Sequence, residues 1–169
     1  MVLSKQELIG LLQNEVRILL HLAGKIDRSK LDYRPTPKQR STMELLQYLV
    51  NMGPILIRAT KAGAFDQAAF QAASKEAAGM NFDQVLAAIG KQSATYAELI
   101  NGFSEEDFRS EIDLFGTGKV TRGAFLVNLV LGGCAAYRTQ LFLYLKAGGR
   151  EELNTMNLWA GIDPPAQSA

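Results

Sequence analysis

Apolar residues recur at spacings of three and four along four long stretches of this chain, and the gaps between them are polar or rich in glycine and proline. Leu8, Leu12, Val16, Leu19, Ala23 and Ile26 form the first series. A helix of 3.6 residues per turn gathers such positions onto one stripe. Ser4 precedes the series and Glu7 follows three residues on, which is the pattern of a capping box. Gly24 and the polar run Asp27-Arg28-Ser29-Lys30 end it. The second series, Leu45, Leu49, Met52 and Leu56, opens on Ser41 and Glu44 in the same relation. Gly53-Pro54 lies inside it and predicts a kink or an early end, because proline lacks the N–H and crowds the carbonyl one turn back. The third series opens on Asn81 with Gln84, carries Val85, Ile89, Tyr96, Leu99 and Ile100, and stops at Asn101-Gly102. The fourth runs from Thr121 to about Ala147 and ends at Gly148-Gly149.

The connectors carry weaker patterns. Leu31 to Pro37 reads as a loop, since each proline pushes its predecessor away from helical geometry. Residues 61–80 are alanine-rich and predict one or two short helical pieces, and Ser104 to Asp107 predicts a single turn. Leu114-Phe-Gly-Thr-Gly-Lys119 is a glycine-rich connector without the length or the Lys-Ser/Thr ending of a phosphate loop. A short helix is expected before Trp159, with the indole buried to anchor the tail. Alternating strand patterns and internal repeats are absent. The expectation is an all-α four-helix bundle with short accessory helices, one domain over residues 1–160 and a flexible C-terminal tail over 161–169 that includes Pro164-Pro165.

Composition narrows the function classes. The chain has 169 residues, enough for one domain, and 47% of them are apolar. Lys and Arg number 18 against 17 acidic residues, for a net charge of +1, and the basic residues are scattered singly. No basic stripe for nucleic acid results. A lone cysteine, Cys134, excludes an internal disulfide. The apolar stretch from Ala124 to Ala136 is broken by Asn128 and is shorter than a membrane span of roughly 20 residues. The opening residues lack a secretory pattern. These features lead to the expectation of a cytoplasmic protein without membrane or nucleic-acid partners.

Candidate reactive groups are few. The single histidine, His21, falls in line with Asn14, Arg17 and Lys25 on the polar face of the first helix, which predicts a solvated side chain. Cys134 lies among Val130, Leu131 and Leu141 and reads as a buried small hydrophobe, although Arg138 one turn on could favour a thiolate. Arg138 itself either pairs with Glu44 or holds an anion.

Two segments carry a family resemblance. Tyr33-Arg-Pro-Thr-Pro, followed by Arg40-Ser41-Thr-Met-Glu-Leu-Leu-Gln-Tyr48-Leu, resembles the entry into helix two of the DinB/YfiT-like superfamily. Thr121-Arg-Gly-Ala-Phe-Leu, continuing to Tyr137-Arg138-Thr-Gln140-Leu and Tyr144-Leu145-Lys-Ala-Gly148, resembles its long helix. The resemblance implies an up-down bundle, often homodimeric, in which three histidines hold a divalent ion in metal-dependent thiol S-transferases and hydrolases. At the corresponding positions this chain has Tyr48, Gly133 and Tyr137. Glycine offers no ligand, and a tyrosine ligand must lose a proton of pKa about 10. The resemblance therefore implies a degenerate site without bound metal or other cofactor, and a homodimeric or small-ligand-binding module of unassigned activity. The alternative is a metal-dependent S-transferase or hydrolase that uses substitute ligands such as Glu44. For the old pocket two main readings stay open. Either Tyr48 and Tyr137 fill it, with Gly133 making room for one ring, or their hydroxyls join Asn51, Arg138 and Gln140 around a small molecule. An acid–base phenol would need a strongly lowered pKa.

Overall fold

In a computed structural model describing residues 3–165, the long helices form where the capping signals place them. α1 spans Lys5–Ala23, α2 Thr42–Ala62, and α4 Phe82–Asn101. Ser4 with Glu7, Ser41 with Glu44, and Asn81 with Gln84 all close reciprocal capping boxes. Each box satisfies two of the amides that a helix start leaves unpaired. The weak stretch after α2 forms α3, Gln67–Ala78, and Ser104 caps the short α5, Glu105–Arg109. The fourth long helix is a composite: α6, Arg122–Phe125, a π-helical segment, Leu126–Leu131, and α7, Gly132–Ala147.

α1 packs against α4 and α7, and α2 packs against the same two helices from the other side. These four enclose a core containing Leu12, Leu22, Leu45, Leu46, Ile57, Val85, Ile89, Ile100, Leu126 and Leu141. Removal of this aliphatic area from water is the main favourable contribution to the fold. α3 lies outside the square, on α2. The all-α four-helix bundle is as the sequence predicts. The Arg122–Ala147 helix is long and apolar enough to cross a membrane by composition. Here it is one wall of the bundle, with Leu126, Val130, Arg138, Leu141 and Tyr144 turned inward.

Several local features differ from the sequence reading. A two-residue antiparallel pair, β1 Glu111–Ile112 with β2 Val120–Thr121, closes the glycine-rich connector. Strands this short leave no alternation to detect. Gly116 and Gly118 take positive φ values of 68° and 110° in the hairpin loop, where a Cβ would be strained. Of the two expectations at Pro54, the early end does not occur, since α2 continues to Ala62. Trp159 does not anchor the tail: it is 68% exposed, and the segment is held by Leu153 and by Asn157, which is 1% exposed. The first residues of the expected tail are also docked. Arg17 donates to the carbonyls of Ala160 and Gly161 at 2.6 and 3.1 Å, and Lys25 pairs with Asp163 at 2.6 Å. Residues 166–169 of that tail lie outside the described residues.

Candidate functional site

The positions that resemble metal-binding histidines do come together. The Tyr48 ring on α2 meets the Tyr137 ring on α7 edge-on, with centroids 5.1 Å apart and planes at 66°. Such pairs are favourable by about 0.5–1.5 kcal/mol beyond their burial. Gly133 is not occupied by either ring. A Cβ there would stand 3.5 Å from Met52 Cε and 3.6 Å from its Sδ, so the thioether fills that space. Burial and the neighbouring Tyr137 phenol push the Tyr48 hydroxyl up to about 12. That direction opposes an acid–base role at neutral pH. Among the described residues no group of three His, Cys, Asp or Glu side chains is placed to hold a metal ion.

The other candidates from the sequence separate into two environments. Asn51 donates to the Ala73 carbonyl at 2.8 Å, and Gln47 donates to those of Ala78 and Met80. These amides fasten α3 to α2. Gln140 donates to the Tyr144 hydroxyl at 2.6 Å, which in turn donates to the Arg40 carbonyl at 3.0 Å. Gln140 therefore positions the loop before α2, and Tyr33 packs edge-on against the same Tyr144 ring at 5.6 Å.

Arg138 faces the opposite side of the bundle, toward α1. Its Nε lies 2.8 Å from Glu15 Oε2, not near Glu44, whose partner is Arg34. The Glu15–Arg138 contact lacks hydrogen-bond alignment at either of those two atoms, so charge holds it. Arg138 also donates to the Leu158 carbonyl, and its guanidinium lies over the Trp159 ring. Burial raises Glu15 above the usual carboxylate range, against the pull of Arg138. Next to this pair, burial pushes the Cys134 thiol up to about 11, with the Tyr96 hydroxyl 4.0 Å away. A thiol so protonated is a poor nucleophile, in line with the reading of Cys134 as a packed residue.

Gln92 and Tyr96 complete this inner cluster, and no local pattern marks their role because their partners lie on α2, 42 or 43 residues away. Pro54 leaves the Val50 carbonyl without its helical donor. The Gln92 amide supplies one from α4, reaching the Leu49 and Val50 carbonyls at 2.7 Å each. The Tyr96 hydroxyl donates to Gln92 Oε1 at 3.3 Å. Its ring lies so close to Gly53 that a Cβ there would be 2.8 Å from Cζ. His21 is not the solvated side chain that its polar helix face predicts. Instead its Nε2 is 3.1 Å from Asn157 Nδ2 and 3.7 Å from Asp163, and burial lowers its pKa.

Above Tyr48 the picture is different. An open basin of about 490 Å³ is lined by Arg34, Lys38, Arg40, Glu44, Tyr48 and Phe70, among others. The Arg40 guanidinium stacks over the Tyr48 ring at 4.0 Å. Glu44 pairs with Arg34 at 3.3 Å, and the Ser41 amide and that arginine hold its carboxyl below the usual range. Three cations face one carboxylate. The signal in the sequence was their crowding into the seven-residue run 34–40 before α2, obscured by the absence of an uninterrupted basic stretch.

No protein-family model and no curated protein matches the chain. Among solved structures it is similar to a DinB-like protein, YjoA of Bacillus subtilis, with a TM-score of 0.66 and 20% sequence identity over 87% of this chain and 94% of that one. The bundle thus has a DinB-like fold.

Proposed function

We propose that this DinB-like bundle is a metal-independent module, cytoplasmic and homodimeric, that binds a small planar anion in the basin above Tyr48. The observation that carries the reading is Arg40 stacked on Tyr48 at the mouth of that basin. A guanidinium on an aromatic face is already desolvated on one side and keeps its edge donors for a carboxylate. Arg34 and Lys38 add positive potential, and Phe70 adds an apolar surface for a ring. Among the described residues no trio of His, Cys, Asp or Glu side chains lies beside the packed phenols, which supports a reading without metal.

Homodimerisation has separate support. Gly132, Ala136, Thr139 and Leu143 form an exposed stripe on α7 without a charge. Uncharged, shallow helix faces suit self-complementary contacts. Sedimentation at tens of micromolar is the test, and a purely monomeric profile rejects this part.

Calorimetric titration with benzoate and other aromatic carboxylates tests the basin. Saturable binding that Arg40→Ala abolishes supports it. Stoichiometric zinc or nickel in protein purified without chelator, lost in Tyr48→Phe, overturns it in favour of metal chemistry with substitute ligands.

A further inference from the structure

We propose that a second site, separate from the Tyr48 basin, takes the hydrocarbon chain of an amphipathic carboxylate between α1, α5 and the Arg122–Leu131 segment. A cavity of about 550 Å³ opens there, lined by Leu3, Leu8, Leu11, Phe108, Val127 and Leu131 among others. This lies within the size range of small-molecule sites, which are mostly apolar with a few polar groups. Leu8 is the buried residue of this lining, at 3% exposure. Leu11 and Val127 line the same cavity and remain 42% and 41% exposed, although both are large aliphatic residues. A chain of methylenes laid along this lining covers both from water.

Two backbone departures shape this cleft. Gly123 lets the Phe108 carbonyl approach to 3.1 Å from the place a Cβ would take, which brings α5 against the long helix. The turns that follow widen into the π-helical Leu126–Leu131, and this segment supplies Val127 and Leu131 to the wall. Wide turns of this kind cost regular hydrogen bonding and are frequent at binding sites.

The polar groups of the lining give the chemistry of the head. Lys5 and Arg109 face a single carboxylate, Glu105. Lys5 Nζ gives one hydrogen bond to the Phe103 carbonyl at 2.5 Å, which leaves two of its donors available. Arg109 is exposed and forms no ion pair among the described residues. An apolar trough with a net cationic mouth favours a fatty acid over a fatty alcohol.

Titration of the full chain with sodium decanoate, below its micellar concentration and read by calorimetry, tests the proposal. Saturable one-site binding is expected, with octanoate about tenfold weaker for its two missing methylenes. Leu11→Asp, at an exposed position where folding is checked by circular dichroism, is expected to weaken decanoate at least about tenfold, since it places a like charge in the apolar trough. Arg109→Gln is expected to weaken decanoate about fivefold and leave decanol unchanged. Absence of saturable decanoate binding to the wild type overturns the proposal. So does decanoate binding that Leu11→Asp leaves unaltered. A Leu11→Asp chain that stays folded but no longer dimerises, with no decanoate binding by the wild type, overturns it in favour of a subunit interface.

Discussion

The cluster under Gly53 and the basin above Tyr48 both border α2, yet their polar groups live under opposite constraints. Below, each polar side chain answers an irregularity of the chain. Gln92 supplies donors to the carbonyls at the Pro54 break, Tyr96 packs onto the bare backbone of Gly53, and Arg138 joins Glu15 on α1 to the carbonyl of Leu158 in the C-terminal segment. Above, Arg34, Lys38 and Arg40 surround open volume, with Glu44 as the facing acid. The comparison teaches that polarity inside this bundle maintains the fold, whereas polarity at the mouth is free to meet a ligand.

Substitutions break that comparison in graded steps. Arg138→Ala strands the Glu15 carboxyl in the interior, and breaking a buried pair this way costs about 3–5 kcal/mol. Chemical denaturation should show that loss, together with faster proteolysis of the segment after Leu153. Gly53→Ala drives a methyl group into the Tyr96 ring, which is buried and stiff, and overpacking of this kind costs about 1–3 kcal/mol. Gln92→Leu leaves the Val50 carbonyl unsatisfied and costs about 1–3 kcal/mol, read as a shift in the denaturation midpoint without a change in slope. Arg40→Ala removes a partly exposed cation–π contact of about 0.5–1 kcal/mol. Its larger effect is expected on anion binding, and a variant that lost stability like Arg138→Ala would erase the distinction between the two regions.

A pH series sharpens the comparison at the docked tail. Burial depresses His21 below 6.5, so the unfolded chain takes up the proton first as pH falls. The stability this residue contributes is present above about pH 6.5 and is lost as pH drops toward its folded value. Glu15 is raised above 4.5 and acts with the opposite sign, its contribution being present at low pH and lost as pH rises through its folded value. The wild-type minus His21→Asn difference in Tm isolates the histidine, and it should shrink on going from pH 7.5 to pH 5.

Much of the architecture was legible in the letters because helix starts are local. Ser4, Ser41 and Asn81 each announce an element through a partner three residues away, and the aliphatic stripes give the inward faces. Tyr48 and Tyr137 were brought together by resemblance, and they do touch. What could not be read is set by distance along the chain. Arg138 finds Glu15 rather than Glu44, Met52 rather than a phenol faces Gly133, and His21 is covered by Asn157 and Asp163 from the far end of the sequence. Trp159 stays in solvent because size alone does not decide burial. The guanidinium of Arg138 takes up the inner side of the indole and leaves the rest to solvent.

The repair of Pro54 by Gln92 has an evolutionary corollary. A relative in which position 54 regains an amide hydrogen restores its own helical ladder, and the glutamine facing it from α4 then keeps only the Leu49 carbonyl and the Tyr96 hydroxyl as partners. The two sites should therefore mutate in concert, proline lost together with glutamine, and lineages that changed one alone should be rare.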